Sequence, residues 1–354
     1  MTILVTGGAG FIGSALVRRL VADGEHEIVT LDKLTYAGHL DSLGEALESP
    51  RHLFERADVS DGAAVRRILA AHEPDAILHL AAESHVDRSI DGPAEFLRTN
   101  LVGTYTLLEE TLAWWRALDD ARRCRFRFLH VSTDEVFGSL GPDDREFHEG
   151  SPYRPNSPYA ATKAGADHLV RAWHRTYGLP VLVTHSGNNY GPRQFPEKLI
   201  PLTILNALEG KPLPVYGTGK NRRDWIWVED HVEGLLAALR RGEPGTSYAF
   251  ASGIELANLE VVERICLVLD ELEPDPRIGP RTGLVRLVED RPGHDFRYAI
   301  DARRARGELH WRPHVEFQEG LRRTVEWYLA NVEWCERVRA GFDRAERLGT
   351  GARA

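Results

Sequence analysis

Apolar residues in the first half of the chain follow two alternating rhythms. Short runs rich in Ile, Val and Leu occupy residues 3–6, 27–31, 53–56, 76–80, 127–131 and 180–184. Between them, apolar positions recur every three or four residues, as at Phe11, Ile12, Leu16, Val17 and Leu20. The first rhythm predicts buried strands, and the second predicts helices with one face turned inward. Further helical stretches are expected near 63–71, across 95–118 and over 159–177. Strands separated by helices in this way imply a parallel sheet covered on both faces, because the crossover helices lie over it. Ligands of such sheets sit at the carboxyl ends of the strands, so the residues that follow each strand should carry the chemistry.

After Gly191 the pattern loosens. Pro192, Pro196, Pro201, Pro212 and Pro214 interrupt it, and the apolar runs become short and scattered. The expected fold class is therefore α/β, a Rossmann-type doubly wound parallel sheet, with a smaller α+β region that closes over the sheet edge and binds substrate. The expected division is 1–190 for the dinucleotide, with later segments returning to it, 191–335 mainly for the substrate, and 336–354 as a polar tail. Residues 340–354 are expected to fray.

Composition narrows the function. The 354 residues are 42% hydrophobic and 27% charged, ordinary for a folded globule. A net charge of -9 argues against a sequence-independent grip on nucleic acid. Cys124, Cys266 and Cys335 lie far apart, with no metal-ligand spacing. So sparse a set points to no metal, no disulfide framework and a reducing cytoplasm. No apolar run approaches the roughly 20 residues that span a bilayer, and the N-terminus lacks signal-peptide features.

The first strand runs into Gly7-Gly8-Ala9-Gly10-Phe11-Ile12-Gly13, which opens the first helix. Glycines allow a tight turn and close approach of backbone to a pyrophosphate, and the helix N-terminus offers unpaired N–H groups and a positive dipole end. Asp32 ends the second strand, where a carboxylate can take both ribose hydroxyls and would repel a 2′-phosphate. NAD is thus favoured over NADP. The competing reading of Asp32 is a turn or capping residue.

Tyr159 and Lys163 are four apart and share one face of a helix. A free phenol, with a pKa near ~10, is a poor base at neutral pH. A lysine ammonium and the positive nicotinamide would favour phenolate, so the tyrosine could take a hydroxyl proton as hydride departs. The bland reading is a core aromatic beside a surface lysine. The Gly-x-x-Gly-x-x-Gly spacing together with Tyr159-Ala160-Ala161-Thr162-Lys163 resembles the extended short-chain dehydrogenase/reductase family over nearly the whole chain. That resemblance implies dinucleotide contacts from Gly7, Gly10, Phe11, Ile12 and Gly13, from Asp32, Lys33, Leu34 and Thr35, and from Leu80, Ala81, Ala82, Ser84 and Thr99. It also implies that Asp58 and Val59 touch adenine, and that Asn189 touches the dinucleotide.

Thr133-Asp134-Glu135 follows the fifth strand. Two carboxylates in one partly dry site cannot both ionise cheaply, so their pKa values split and one can serve as acid, the other as base. Both can reach one pocket only if the strand stops there and the chain turns, and Gly138 fits such a turn. Hydride exchange alone needs neither acid; elimination of water needs both. A solvated loop pair is the alternative.

Three long motifs closely resemble the dTDP-glucose 4,6-dehydratase family: Thr133-Asp134-Glu135, the stretch HLAAESHVDRS at 79–89, and NNYGPRQFPEKLIP at 188–201. The resemblance implies a redox-neutral cycle with tightly held NAD. Tyr159, helped by Thr133, deprotonates the sugar C4 hydroxyl as hydride leaves; Glu135 removes the C5 proton while Asp134 protonates the C6 hydroxyl; the hydride then returns at C6. It also implies that Arg223 and Arg291 grip the substrate pyrophosphate. Ser84, Thr133, Asn188, Lys198, Leu199, Pro214, Val215, Tyr216, Asn258, Asp290 and His294 would contact the rest of the nucleotide sugar. For the arginines, the alternative is surface ion pairing. The family also implies a homodimer through the helices at 95–118 and 159–177.

Two positions depart from the family's pattern, Gly187 in place of serine or cysteine and Arg193 in place of an aromatic, and both bear on packing near the sugar or phosphates. Same-fold rivals fit less well: the related epimerases lack the Asp–Glu pair, and the decarboxylases have serine in place of Asp134. A dinucleotide-sensing module without chemistry would have lost the Tyr–Lys or acid pair, and this chain keeps both.

Overall fold

The structure is a computed structural model and describes residues 1–340. All but the first residue of the stretch expected to fray therefore lies outside the described residues.

Chain order in the first half is β1 (Thr2–Thr6), α1 (Phe11–Asp23), β2 (Glu27–Asp32), β3 (His52–Arg56), α2 (Gly62–His72), β4 (Ala76–His79), α3 (Val86–Asp91), α4 (Pro93–Phe96), α5 (Thr104–Arg116), α6 (Asp120–Arg125), β5 (Arg127–Val131), α7 (Pro158–Tyr177) and β6 (Val181–Ser186). The long helix expected over 95–118 is one run from Pro93 to Arg116 with a π-helical stretch, Leu97–Gly103, between α4 and α5. The second half adds β7 (Asn188–Tyr190), α8 (Leu199–Leu208), β8 (Leu213–Tyr216), β9 (Arg222–Trp227), α9 (Val228–Arg241), β10 (Ser247–Phe250), β11 (Glu255–Ala257), α10 (Asn258–Leu272), β12 (Val285–Val288), α11 (Arg303–Glu308), α12 (Phe317–Ala330) and α13 (Val332–Arg339).

The main sheet is parallel, with seven strands in the order β10-β6-β5-β4-β1-β2-β3. The chain builds outward from β1 through β2 to β3, then returns to the other side of β1 with β4. The order reverses between β1 and β4, which leaves a crevice at their carboxyl ends. Register aligns those ends: Thr6 pairs with Leu31 and His79, His79 with His130, and Val131 with Thr184. Alternation along each strand feeds two cores. Ile3, Val5, Leu129 and Val131 pack on one face, and Leu4, Ile77 and Phe128 on the other.

A third core gathers Tyr190, Trp225, Trp227, Ile265, Phe317 and Tyr328 around a three-stranded sheet, β11-β9-β7. β8 and β12 form a separate parallel pair. α13 runs through the boundary expected at 336 and buries Trp334, Cys335 and Val338 in this third core, because those apolar side chains share one helix face.

Later segments return to the first unit: α9 and α11 pack on its core, and β10 joins the main sheet, held there by Phe250. That ring is fully buried, 4.9 Å from Trp311 and 5.8 Å from His231. A Cβ added at Gly234 on α9 would lie 2.7 Å from the same ring. Gly234→Ala must displace a ring held on several sides, and overpacking of this kind costs about 1–3 kcal/mol. A lowered midpoint in denaturant at unchanged slope is the expected result.

Candidate active site

One cleft runs along the carboxyl edge of the sheet from β2 across to β6. On the dinucleotide side, Gly7 takes a left-handed conformation (φ 71°) and a Cβ there would lie 2.6 Å from the Ala81 nitrogen. A Cβ at Gly13 would lie 2.1 Å from the Gly7 carbonyl oxygen. Side chains are excluded, so the turn presents backbone. Gly10 caps α1 without a side-chain hydrogen bond, which leaves first-turn N–H groups for a ligand. This cradle fits a pyrophosphate.

Asp32 is 9% exposed, and its two oxygens accept from the backbone N–H groups of Ala9 (3.0 Å) and Leu34 (2.8 Å). Burial pushes its carboxyl up, and those hydrogen bonds oppose the rise. It therefore ties the glycine turn to the loop after β2 while still facing the cleft. Lys33 Nζ donates to Thr99 Oγ1 at 3.0 Å and lies 3.6 Å from Asp58. Thr99 belongs to the π-helical stretch, as does Asn100, whose amide braces Glu83 and Thr162. Gly7, Gly10, Phe11, Ile12, Gly13, Asp32, Lys33, Thr35, Val59, Leu80, Ala81, Ala82, Ser84, Thr99 and Asn189 all line the cleft. Leu34 and Asp58 stand apart from its wall. Leu34 serves through its N–H, in a left-handed conformation (φ 57°), and Asp58 turns one oxygen back to Ser60.

Tyr159 and Lys163 occupy the first turns of α7. Ser157 caps that helix by accepting from the Ala160 N–H at 3.0 Å, with Pro158 at the first position. Both side chains are buried against the cleft. Lys163 Nζ donates to the Val131 carbonyl at 2.8 Å, and burial lowers its pKa to about 8. The Tyr159 phenol is pushed above its ordinary value by burial and then by Glu135, with a hydrogen bond to Thr133 opposing. The lowered phenol expected from Lys163 is thus not a property of the protein alone, because the lysine is directed at the end of β5 and two acids stand nearby.

β5 ends at Val131, and Asp134–Phe137 forms a single 3₁₀ turn closed by Gly138 at φ 89°. The Thr133 hydroxyl caps this turn by accepting from the Glu135 N–H at 3.3 Å. Because the strand stops, alternation no longer applies and Thr133, Asp134 and Glu135 all face the cleft. Asp134 is 1% exposed; its Oδ1 accepts from Thr133 at 3.4 Å and its Oδ2 has no partner within the protein. Burial, then Glu135 and Asp224, push the Asp134 carboxyl well above its ordinary range. Burial also raises Glu135, but Arg291, Arg223 and Lys198 pull it back. The pair is therefore divided in direction: burial and acidic neighbours favour the protonated form of Asp134, whereas the facing cations favour the ionised form of Glu135.

The second region supplies those cations. Lys198 Nζ donates to the Ser84 carbonyl at 2.9 Å, and Asn188 and Lys198 line the cleft. Arg291 bonds Asp87 at 2.8 Å and keeps a buried Nε without a partner, while Tyr216 Oη donates to the other Asp87 oxygen at 3.0 Å. His294 faces Asp290 at 2.6 Å, and burial, then Arg291, lower its pKa to about 4. Arg223 is 4% exposed, stacks on Tyr298 at 4.3 Å, and spends donors on the carbonyls of Arg222, Asp295 and Phe296. Val215 is turned into the third core, since it alternates with Pro214 and Tyr216 along β8. Leu199 opens α8 and packs on that core, and the Asn258 N–H donates to the Asn221 carbonyl at 3.0 Å.

The two departures have local causes. A Cβ at Gly187 would lie 2.9 Å from the Asp224 carbonyl oxygen, so β9 leaves no room for a side chain. Arg193, at φ 66°, lays its guanidinium 5.3 Å from the Trp327 ring, on the third core. Glu83, within the 80–84 stretch expected to line the dinucleotide, also faces the cleft, as do Ser132, Ser186, Gln194, Phe195 and Glu197, to which the sequence assigned no role. Glu197 accepts from Tyr36 Oη and Arg88 Nε, both at 3.0 Å, and its position beside Lys198 in the PEKL motif was the available signal.

A doubly wound sheet with a glycine cradle, a helical Tyr-x-x-x-Lys and a second region over the crevice defines an extended short-chain dehydrogenase/reductase. The family model described as GDP-mannose 4,6 dehydratase matches residues 4–324. A dTDP-glucose 4,6-dehydratase of Neisseria meningitidis serogroup B is 54% identical over 351 residues, covering 99% of each chain, and dTDP-glucose 4,6-dehydratase 1 of Escherichia coli K12 is 53% identical over 349, covering 96% of each. The crystal structure of DesIV, a dTDP-glucose 4,6-dehydratase from Streptomyces venezuelae with NAD and TYD bound, is 46% identical with a TM-score of 0.87, covering 96% of this chain and 100% of that one. The chain belongs to the dTDP-glucose 4,6-dehydratase family, and it is a hydro-lyase.

The division of the acid pair has a consequence for stability. A carboxyl raised in the folded state contributes stability below its unfolded pKa, near ~4, and that contribution is lost as pH rises through the folded value. Asp134→Asn removes the penalty. Its melting temperature should exceed the parent's by more at pH 7.5 than at pH 4.5, as thermal unfolding at the two values would show.

Proposed function

We propose that the chain converts dTDP-glucose to the dTDP-linked 4-keto-6-deoxyglucose and water, with NAD resident in the cleft. The observation that carries this is the acid pair at the end of one strand: Asp134, buried among acids, and Glu135, faced by cations, line one cleft with Tyr159. NAD, when bound, supplies hydride acceptance at C4 and hydride return at C6. Tyr159 takes the C4 hydroxyl proton, with Thr133 beside it and the Lys163 charge beneath. Glu135 takes the C5 proton, acidified by the new C4 ketone. Asp134 gives its proton to the departing C6 hydroxyl, and C5 is then reprotonated.

The dinucleotide residues of 1–190 and the cations of 191–335 divide the work in this reading. Arg291 and Arg223, with Lys198, meet the pyrophosphate charge, and Asn188, Tyr216 and His294 stand around the nucleotide sugar. An acidic chain needs such a local focus of cations to hold a diphosphate. Epimerases share the architecture; the UDP-glucose 4-epimerase of Thermotoga maritima is 27% identical, with a TM-score of 0.81, covering 94% of this chain and 100% of that one. Exchange of hydride at C4 gives no task to a buried acid–base pair.

The reading includes a cytoplasmic homodimer. Cys124, Cys266 and Cys335 are free, and among the described residues no helix is long and apolar enough to cross a membrane. Leu97, Val102, Tyr105 and Tyr177 are 40–49% exposed along the Pro93–Arg116 run and the end of α7. Tyr105 packs edge-on against Trp173, and Trp173 against Tyr177, at 5.9 and 5.5 Å. An exposed apolar patch of this kind suits a two-fold contact between copies.

Incubated with dTDP-glucose, the protein should yield a product lighter by one water, measured by mass spectrometry; a product of unchanged mass would indicate epimerisation. Glu135→Gln should still oxidise C4 but lose exchange of the C5 proton with solvent deuterium, and undiminished exchange would rule out Glu135 as the base. Tyr105→Glu should turn the dimer into a monomer of unchanged circular dichroism, as read by sedimentation; an unaltered mass would place the interface elsewhere.

A further inference from the structure

Asp167 is fully buried, and no step above uses it. It lies four residues beyond Lys163 on α7, as Lys163 lies four beyond Tyr159, so the three share one helix face. Its Oδ2 accepts from Ser132 Oγ at 2.9 Å and from Tyr153 Oη at 2.7 Å, with His185 Nε2 at 3.1 Å. Its Oδ1 faces His130 Nε2 at 3.2 Å. Ser132 lines the cleft next to Thr133, so this carboxylate anchors the backbone from which the acid turn departs. Among the described residues no group of His, Cys, Asp and Glu side chains is arranged to hold a metal ion.

Burial alone would favour the protonated acid, but the facing imidazoles of His130 and His185 outweigh it and hold the Asp167 carboxyl well below its ordinary range. A buried carboxylate calls for a counter-charge. His130 does not supply one near neutrality, because burial and then Lys163 bring its pKa down to about 4. Lys163 donates to a neutral carbonyl, and Asp167 is the charge that opposes its loss of a proton.

We propose that Asp167 is a positioning residue of the active site: a fixed buried anion that keeps the Lys163 ammonium charged beneath Tyr159. The inference rests on the Tyr159–Lys163 reading given above. The titratable and charged groups packed around the pair are His79 on β4, His130 on β5, His185 on β6, Tyr153 from the loop before α7, and Tyr159, His168 and Arg171 on α7 itself. Burial lowers the His79 pKa well below its ordinary value and Thr6 and Thr104 engage its ring, which leaves Asp167 as the anion on this side of the lysine.

The test reads the lysine directly. Lys33, Lys163, Lys198, Lys211 and Lys220 are the lysines of the chain, so protein labelled with 13C at the lysine ε-carbon gives few signals, and Lys163→Met assigns the relevant one. In the unsubstituted protein Lys163 should be an ammonium at pH 7. In Asp167→Asn its titration midpoint should fall by about 1 pH unit or more. A neutral Lys163 at pH 7 in the unsubstituted protein overturns the proposal without any variant, as does an unmoved midpoint in folded Asp167→Asn. Activity of Lys163→Met separates the two claims. Full activity there defeats the Tyr159–Lys163 reading, whereas loss of activity with an unmoved midpoint defeats only the role of Asp167.

Discussion

A carboxylate withdrawn from water must find donors or take up a proton, and the carboxyl edge of this sheet confronts the chain with that demand several times over. Asp32 finds two backbone N–H groups. Asp167 finds two hydroxyls and the His185 imidazole at one oxygen, with the His130 ring facing the other. Asp134 finds one long contact to Thr133 and nothing at its other oxygen, so its protonated form is favoured. Three aspartates of one chemical type thus become a tether, an anion and an acid. The difference lies in what the strand ends place beside each, and β5 matters most because it stops just short of Thr133.

The second region acts on the same balance from the other side. Arg291, Arg223 and Lys198 oppose the rise that burial imposes on Glu135, and so set it apart from Asp134. Asp87 is central to this arrangement. It sits on α3 of the first region, yet it bonds Arg291 and Tyr216 of the second, so the cations are oriented by the sheet that carries the acids.

Strand and helix periodicity made the sheet legible, since a strand buried on both faces must be apolar throughout and its crossover helix must carry one apolar stripe. Glycine spacing, the tyrosine–lysine interval and the paired acids were legible because each demands particular residue types at fixed offsets. The π-helical stretch at Leu97–Gly103 was not, because an extra residue per turn leaves no mark in hydrophobic spacing. Nor was the orientation of Val215, whose strand is too short for alternation to show. Asp167 was hidden for a different reason: Ser132 lies 35 residues before it and His185 18 residues after it, and a buried ion cluster has no local signature.

The return of the chain to the far edge of the main sheet, with α9 packing on the first core and β10 then joining β6, has an evolutionary side. β10 pairs with β6 along four residues and buries Phe250 against α9 and Trp311. A lineage could not lend out the first 190 residues as a self-contained cassette, because that piece would leave behind the strand that completes the main sheet. New specificities in this architecture must therefore arise by rewriting loops in place, with both halves inherited together.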